Sequence, residues 1–207
     1  ERDATGDTAA RALSAPNLLL RLAMGRRVEL RFGMEGLVRA NPGGPSGGWH
    51  TSASDGDVGA KVQLTHEDGF GLDTAVIAFV SLPVGGAASS GSADPAVKLA
   101  WGRSFGETSI SGNFGAASLT NDHDQRERQL LASVSVGRGL WGPWSGFVEG
   151  VVVAIDNVDA SAAWTFNTGV TRLIGDDLQV DAYLGRGLND AAPDWTVGAG
   201  VSFRFRR

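Results

Sequence analysis

From Trp195 to Phe205 the chain alternates almost without a break. Trp195, Val197, Ala199, Val201, Phe203 and Phe205 fall on one parity, and Thr196, Gly198, Gly200, Ser202 and Arg204 on the other. Successive side chains of a strand point to opposite faces, so this pattern predicts one strand with a greasy face and a polar face. Its eleven residues match the length that a tilted membrane-crossing strand requires.

The same grammar recurs upstream. Leu18, Leu20, Leu22 and Met24 oppose Asn17, Arg21 and Gly25; Val28, Leu30, Phe32 and Met34 oppose Arg27, Glu29 and Arg31; Val58, Ala60, Val62 and Leu64 oppose Lys61 and Gln63. A fourth strand around Leu72, Val76 and Val80 is ambiguous, because Ile77 and Phe79 interrupt its polar parity. Further strands are expected over 97–102, 108–116, 129–136, 144–152, 160–168 and 178–185, the last with Gln179, Asp181 and Tyr183 on its polar side. Helical periodicity of any length is absent, so eleven readable strands make an all-β meander.

The connections carry a second pattern. Alternate links are compact (25–27, 66–71, 103–107, 138–143, 169–177), and those between them are longer or more polar (35–57, 83–96, 119–128, 155–159, 186–194). Short turns on one rim and long loops on the other are the arrangement of bacterial outer-membrane barrels, with the short side periplasmic. An even strand number with both termini on that side requires one strand before Asn17, and Thr5–Arg11 is the candidate. The expectation is therefore a transmembrane antiparallel up-and-down β-barrel of about twelve strands. It fills a single domain over 1–207, with 1–12 as a weakly patterned segment holding the marginal first strand.

Alternation does not by itself say which face meets water. A soluble two-sheet sandwich would turn the large apolar residues inward, whereas a membrane barrel turns them to lipid. The six tryptophans (Trp49, Trp101, Trp141, Trp144, Trp164 and Trp195) sit largely near strand ends, where an interfacial aromatic belt would place them, although core packing stays open for Trp101 and Trp164. Composition narrows the classes. There is no cysteine, hence no disulfide scaffold, thiolate site or cysteine nucleophile. The 18 basic and 23 acidic residues are spread along the chain, to a net charge of -5, with no basic block for nucleic acid. The N-terminal stretch ERDATGDTAARAL does not read as a secretory leader.

Several stretches together resemble one family. They are Gly169-Val170-Thr171-Arg172-Leu173, Asp177-Leu178-Gln179-Val180-Asp181, Gly185-Arg186-Gly187-Leu188-Asn189 and Ala192-Pro193-Asp194-Trp195. Upstream they include Leu19-Leu20-Arg21 with Val28-Glu29-Leu30-Arg31, Gly59-Ala60-Lys61, Leu82-Pro83-Val84-Gly85 and Asn113-Phe114-Gly115. From about Ala15 to Phe205 the chain is similar to the outer-membrane β-barrel family associated with phenol-degradation pathways. The resemblance implies a porin-like channel or transporter in the outer membrane of a Gram-negative (diderm) bacterium. Its permeants would be small solutes such as aromatic or other hydrophobic compounds, and the barrel-assembly machinery would be a partner during biogenesis. The family's first strand is poorly represented here, and Arg206 and Arg207 extend past the terminal aromatic Phe205.

The candidate pore-lining residues are Arg21, Glu29, Arg31, Lys61, Lys98, Glu149, Asp181 and Arg204, all on the polar parity. Charges there either set a field that selects permeants or form a static ion-pair network that fixes strand register. The segment 40–48, rich in Gly and Pro, reads as a mobile external loop. Asp190 and Asp194 read as members of a rigid last turn. Catalysis is not expected: His50, His66 and His123 fall in loops, dispersed from one another and from any strand-wall serine, so neither a Ser-His pair nor a metal site is formed. No cofactor is expected. The alternative function is a structural or anchoring barrel with an occluded lumen, bound to outer-membrane lipid and to another envelope protein.

Overall fold

The computed structural model describes residues 10–43, 47–84, 86, 89–121, 123–156 and 161–205. Within them lie fourteen strands and one turn of helix: β1 (Arg11–Ala15), β2 (Leu18–Met24), β3 (Val28–Met34), β4 (Leu37–Asn41), β5 (His50–Ala53), β6 (Gly56–Thr65), α1 (Glu67–Phe70), β7 (Asp73–Leu82), β8 (Asp94–Phe105), β9 (Thr108–Thr120), β10 (Arg126–Trp141), β11 (Trp144–Ile155), β12 (Ala163–Ile174), β13 (Leu178–Gly187) and β14 (Trp195–Phe203). Eleven strands form one sheet in the order β14-β13-β12-β11-β10-β9-β8-β7-β6-β3-β2, and β1-β4-β5 form a second. The eleven strands readable from alternation are the eleven of the large sheet.

Two compact units divide the chain. The first comprises Glu1–Val62, Ile77–Ala96 and Ser118–Arg126, and the second Gln63–Val76, Val97–Ala117 and Glu127–Arg207. In the first, β2 pairs β3 and β3 pairs β6, all antiparallel, with Arg21 opposite Arg31 and Glu29 opposite Lys61. In the second, β10 to β14 form a continuous antiparallel meander.

The short links are tighter than the sequence implies because the strands run further into them. β10 extends to Trp141, which pairs Trp144 across only Gly142 and Pro143. Gly142 takes φ 51°, and a glycine at positive φ followed by proline is the order a two-residue type II′ hairpin asks for. β12 likewise continues to Ile174. In the long 35–57 link, the sequence reading missed β4 and β5. Their four or five residues carry too short an alternation to stand out beside Gly and Pro, and His50 opens β5 rather than lying in a loop. The mobile loop expected over 40–48 starts in β4 (Ala40 and Asn41), and its residues 44–46 lie outside the described residues. So do residues 5–9 of the candidate first strand, Ala160, Arg206 and Arg207. The candidate's last residue, Arg11, opens β1, which pairs with β4 and not with the large sheet.

Exposure resolves the ambiguity that alternation leaves. On β14 the apolar parity is the exposed one, with Val197 at 76% and Val201 at 73%, while Thr196, Gly198 and Gly200 are only half exposed. On β2 all seven residues are exposed, Leu19 on the polar parity as much as Leu18 and Leu20, so that strand does not separate the faces. Among the described residues Ala75 is the single buried hydrophobic, and no large side chain is fully buried. A soluble fold gathers its Leu, Val and Phe side chains into a core; here they face out.

Candidate functional site: the polar face of the sheet

In the first unit, register brings Arg21, Glu29, Arg31 and Lys61 together. Arg21 and Arg31 are direct cross-strand partners, a like-charge pairing that destabilises a ladder unless compensated. Glu29, one polar-face step away, supplies the compensation. It accepts from Arg21 Nε at 3.1 Å and Arg21 Nη2 at 2.9 Å, a bidentate grip. Arg31 Nε lies 3.3 Å from Glu29 Oε1, near enough to pair as charges, yet it is buried without a hydrogen-bond partner, its N–H not aimed at the carboxylate. Lys61 is Glu29's cross-strand partner on the other side. One carboxylate thus serves three cations, and Asp57, opposite Gly33, adds a second carboxylate one step further along the same face.

Large side chains also share this face. A Cβ at Gly59 would stand 2.6 Å from Phe79 Cβ, so Phe79 lies on the polar parity and fills the room that the glycine leaves. That settles the ambiguous strand β7: Val76 and Val80 take the apolar parity, and Phe79 joins the lysine side.

Two carboxylates that the sequence reading passed over tie down the long-loop end of this unit. Asp55, between β5 and β6, accepts from Val84 N–H at 3.2 Å and from Ser90 N–H and Oγ at 2.9 and 3.1 Å. Partial burial works against its charge, but hydrogen bonds from Ser89, Ser90 and Val84 outweigh it and hold the carboxyl below the ordinary aspartate value. Asp94, 5% exposed, accepts from Arg126 Nη1 at 2.6 Å and Thr120 Oγ1 at 2.8 Å. Arg126 also donates to the carbonyls of Ala93 and Ser118. The ends of β8, β9 and β10 meet at that guanidinium. The two carboxylates take partners 26 to 35 residues away in sequence, a separation that a local pattern does not reveal.

In the second unit the remaining candidates do not cluster. The stem of Lys98 lies over Gly115. Glu149 Oε2 accepts from Asn167 Nδ2 at 3.2 Å, its cross-strand partner. Asp181 lies over its partner Gly200. Arg204 follows β14 and turns to the β12–β13 link, donating to Asp177 Oδ1 at 3.2 Å and to the Asp176 carbonyl at 2.6 Å. Asp194 pairs with Arg186 at 3.4 Å, closing the last long link. Polar groups on the apolar face are satisfied locally: Thr168 donates to the Phe147 carbonyl at 3.0 Å, as a hydroxyl facing hydrocarbon must. His66 Nδ1 lies 3.8 Å from Asp73 Oδ1.

Known proteins place this geometry. A family model described as "Putative MetA-pathway of phenol degradation" matches residues 7–205. No curated protein matches the chain. Among solved structures, a porin refined at 1.8 Å superposes with a TM-score of 0.51 at 14% identity, over 92% of this chain and 62% of the porin. An anion-selective porin from Comamonas acidovorans gives 0.47 at 12% identity, over 84% of this chain and 54% of that one. The first likeness establishes the fold, an antiparallel up-and-down β-barrel of the porin type. The chain spans 62% of the length of the porin it matches.

Proposed function

The chain belongs to this phenol-degradation family of β-barrels, and on that premise we propose that it is an outer-membrane channel through which small solutes pass down a gradient. The observation that carries the reading is the inversion of the sheet: large apolar side chains are exposed on one face, while charges, glycines and hydroxyls share the other. In lipid the apolar face is the favourable outer surface, and the polar face lines water. Arg21, Glu29, Arg31, Lys61, Lys98, Glu149 and Asp181 are then wall residues of the lumen, and Arg204 fastens a turn at its rim.

No chemical step belongs to this function. Permeation needs a wetted path and a field, and the wall supplies both. Small aromatic solutes are the permeants we favour, on the family's description and on the rings of Phe79, Phe147 and Tyr183 standing among the polar wall positions. The membrane is the outer membrane of a Gram-negative bacterium, reached through the barrel-assembly machinery.

Reconstitution into planar bilayers tests the proposal. The expected result is discrete conductance steps, with uptake of neutral aromatics into vesicles that carry the protein. A protein that inserts fully yet passes neither ions nor aromatics would overturn the channel in favour of an anchoring barrel.

A further inference from the structure

One register rung of the second unit alternates rings with glycines. Phe147 on β11 pairs Gly169 on β12, Gly169 pairs Tyr183 on β13, and Tyr183 pairs Gly198 on β14. A Cβ at Gly169 would stand 2.5 and 2.7 Å from Phe147 Cε1 and Cζ, and one at Gly198 would stand 2.7 and 2.9 Å from Tyr183 Cζ and OH. Each ring therefore lies down over the glycine of the next strand, covering the backbone with one face and presenting the other to the space beyond the wall. Two strand spacings, about 9.5 Å, separate the strands that bear them.

The neighbouring polar-face positions are acidic. Glu149 stands two residues beyond Phe147 and Asp181 two residues before Tyr183, each about 7 Å along its strand. Asp181 rests both carboxylate oxygens over Gly200, and Glu149 has one oxygen engaged by Asn167. The arginines of β11–β14 are directed elsewhere. Arg172 and Arg186 stack on Trp144 and Trp195, whose parity is the apolar one, and Arg204 is held by Asp177 at the turn.

We propose that this wall of ring faces between two carboxylates binds small organic cations: a quaternary ammonium or protonated amine on a compact apolar body. A ring face carries the negative end of its quadrupole and attracts a cation, most strongly where water is partly excluded. Each ring has one carboxylate two residues along its own strand, which adds a field of the same sign, whereas an anion of equal shape meets repulsion and a neutral ring gains stacking alone. The site rests on the channel reading for access, and it narrows the small aromatic solutes favoured there to those that carry a positive charge.

The test uses the full chain in detergent and three probes of matched shape: benzyltrimethylammonium, benzyl alcohol and benzoate. Calorimetric titration should show the cation binding tightest, and Tyr183→Leu or the pair Glu149→Gln with Asp181→Asn should each weaken it by roughly tenfold, as loss of a partly desolvated cation–ring contact would. Tyr183→Phe, which keeps the ring face, should retain binding and controls for misfolding. Equal affinity for the three probes, or cation binding indifferent to those substitutions, overturns the site. Current recordings separate the two readings. Selective cation binding by a protein that does not conduct sinks the channel and leaves the site, and conduction without selective binding does the reverse.

Discussion

Tyr183 and Gly198 are direct cross-strand partners, and the tyrosine ring occupies the space that a side chain at 198 would need. Gly198→Val therefore has to displace the ring. The expected cost is about 1–3 kcal/mol of stability, the range for overpacking a filled position. Urea unfolding in lipid vesicles, followed by tryptophan fluorescence, measures it. In a Tyr183→Ser background the same valine should cost much less, and equal costs in the two backgrounds would show that the ring is not what the valine meets.

Glu29 is the carboxylate that Arg21, Arg31 and Lys61 share. Glu29→Gln leaves the three cations in place and removes one negative charge from the wall, so in reconstituted protein the reversal potential under a KCl gradient should move toward chloride. Arg21→Gln should move it toward potassium. A reversal potential unchanged in both variants would mean that this cluster does not face the conducting path.

The Asp55 knot carries a pH signature. Its folded carboxyl titrates below the ordinary aspartate value, so its stabilisation is complete above the unfolded pKa of ~3.9 and fades only as the pH falls below that toward the folded value. Protection of the Ser90 amide, taken relative to its intrinsic exchange rate at each pH, should thus stay high at neutral pH and fall only in strong acid. Asp55→Asn should loosen the Val84 and Ser90 contacts at neutral pH, by about 1.5–3 kcal/mol for hydrogen bonds to a charged acceptor, and the difference from the parent should vanish in strong acid. Protease cleavage in that link reports the difference.

Ala199, at the middle of β14 on the exposed parity, tests the direction of the faces. Ala199→Arg should cost about 2–4 kcal/mol in a bilayer, the penalty for a lipid-facing arginine near the midplane. Thr196→Arg, on the other parity, should cost far less. Equal penalties in vesicle unfolding would contradict the orientation of the strand.

Alternation carried the large sheet because each of its strands has one face in each medium, and period two survives even where Gly and Ser dilute it. It did not carry β4 and β5, whose few residues pair with a segment distant in sequence. The candidate site divides the same way. Arg21, Glu29, Arg31 and Lys61 share a parity that can be read directly, and the first three meet within one hairpin, but Lys61 joins them only because β3 pairs β6 across the 35–55 excursion, a register that one sequence leaves open. Phe147 and Tyr183 could be placed on a face but not on a common rung. Asp55 and Asp94 carry no local signal, because what sets them apart is partners about thirty residues away.

The large sheet follows chain order at every step but one, from β3 to β6. The detour returns to where it left, with Met34 pairing Gly56, so the wall is continuous whatever the intervening residues do. Closing a loop costs only ~0.6 kcal/mol per doubling of its length. The insert can therefore be exchanged, lengthened or cut back while the wall keeps its register. One dependency limits that freedom: β1 takes β4 as its partner. Excising the insert would cast the N-terminal segment adrift with it, so two stretches of chain separated by a full hairpin are bound to change as one surface.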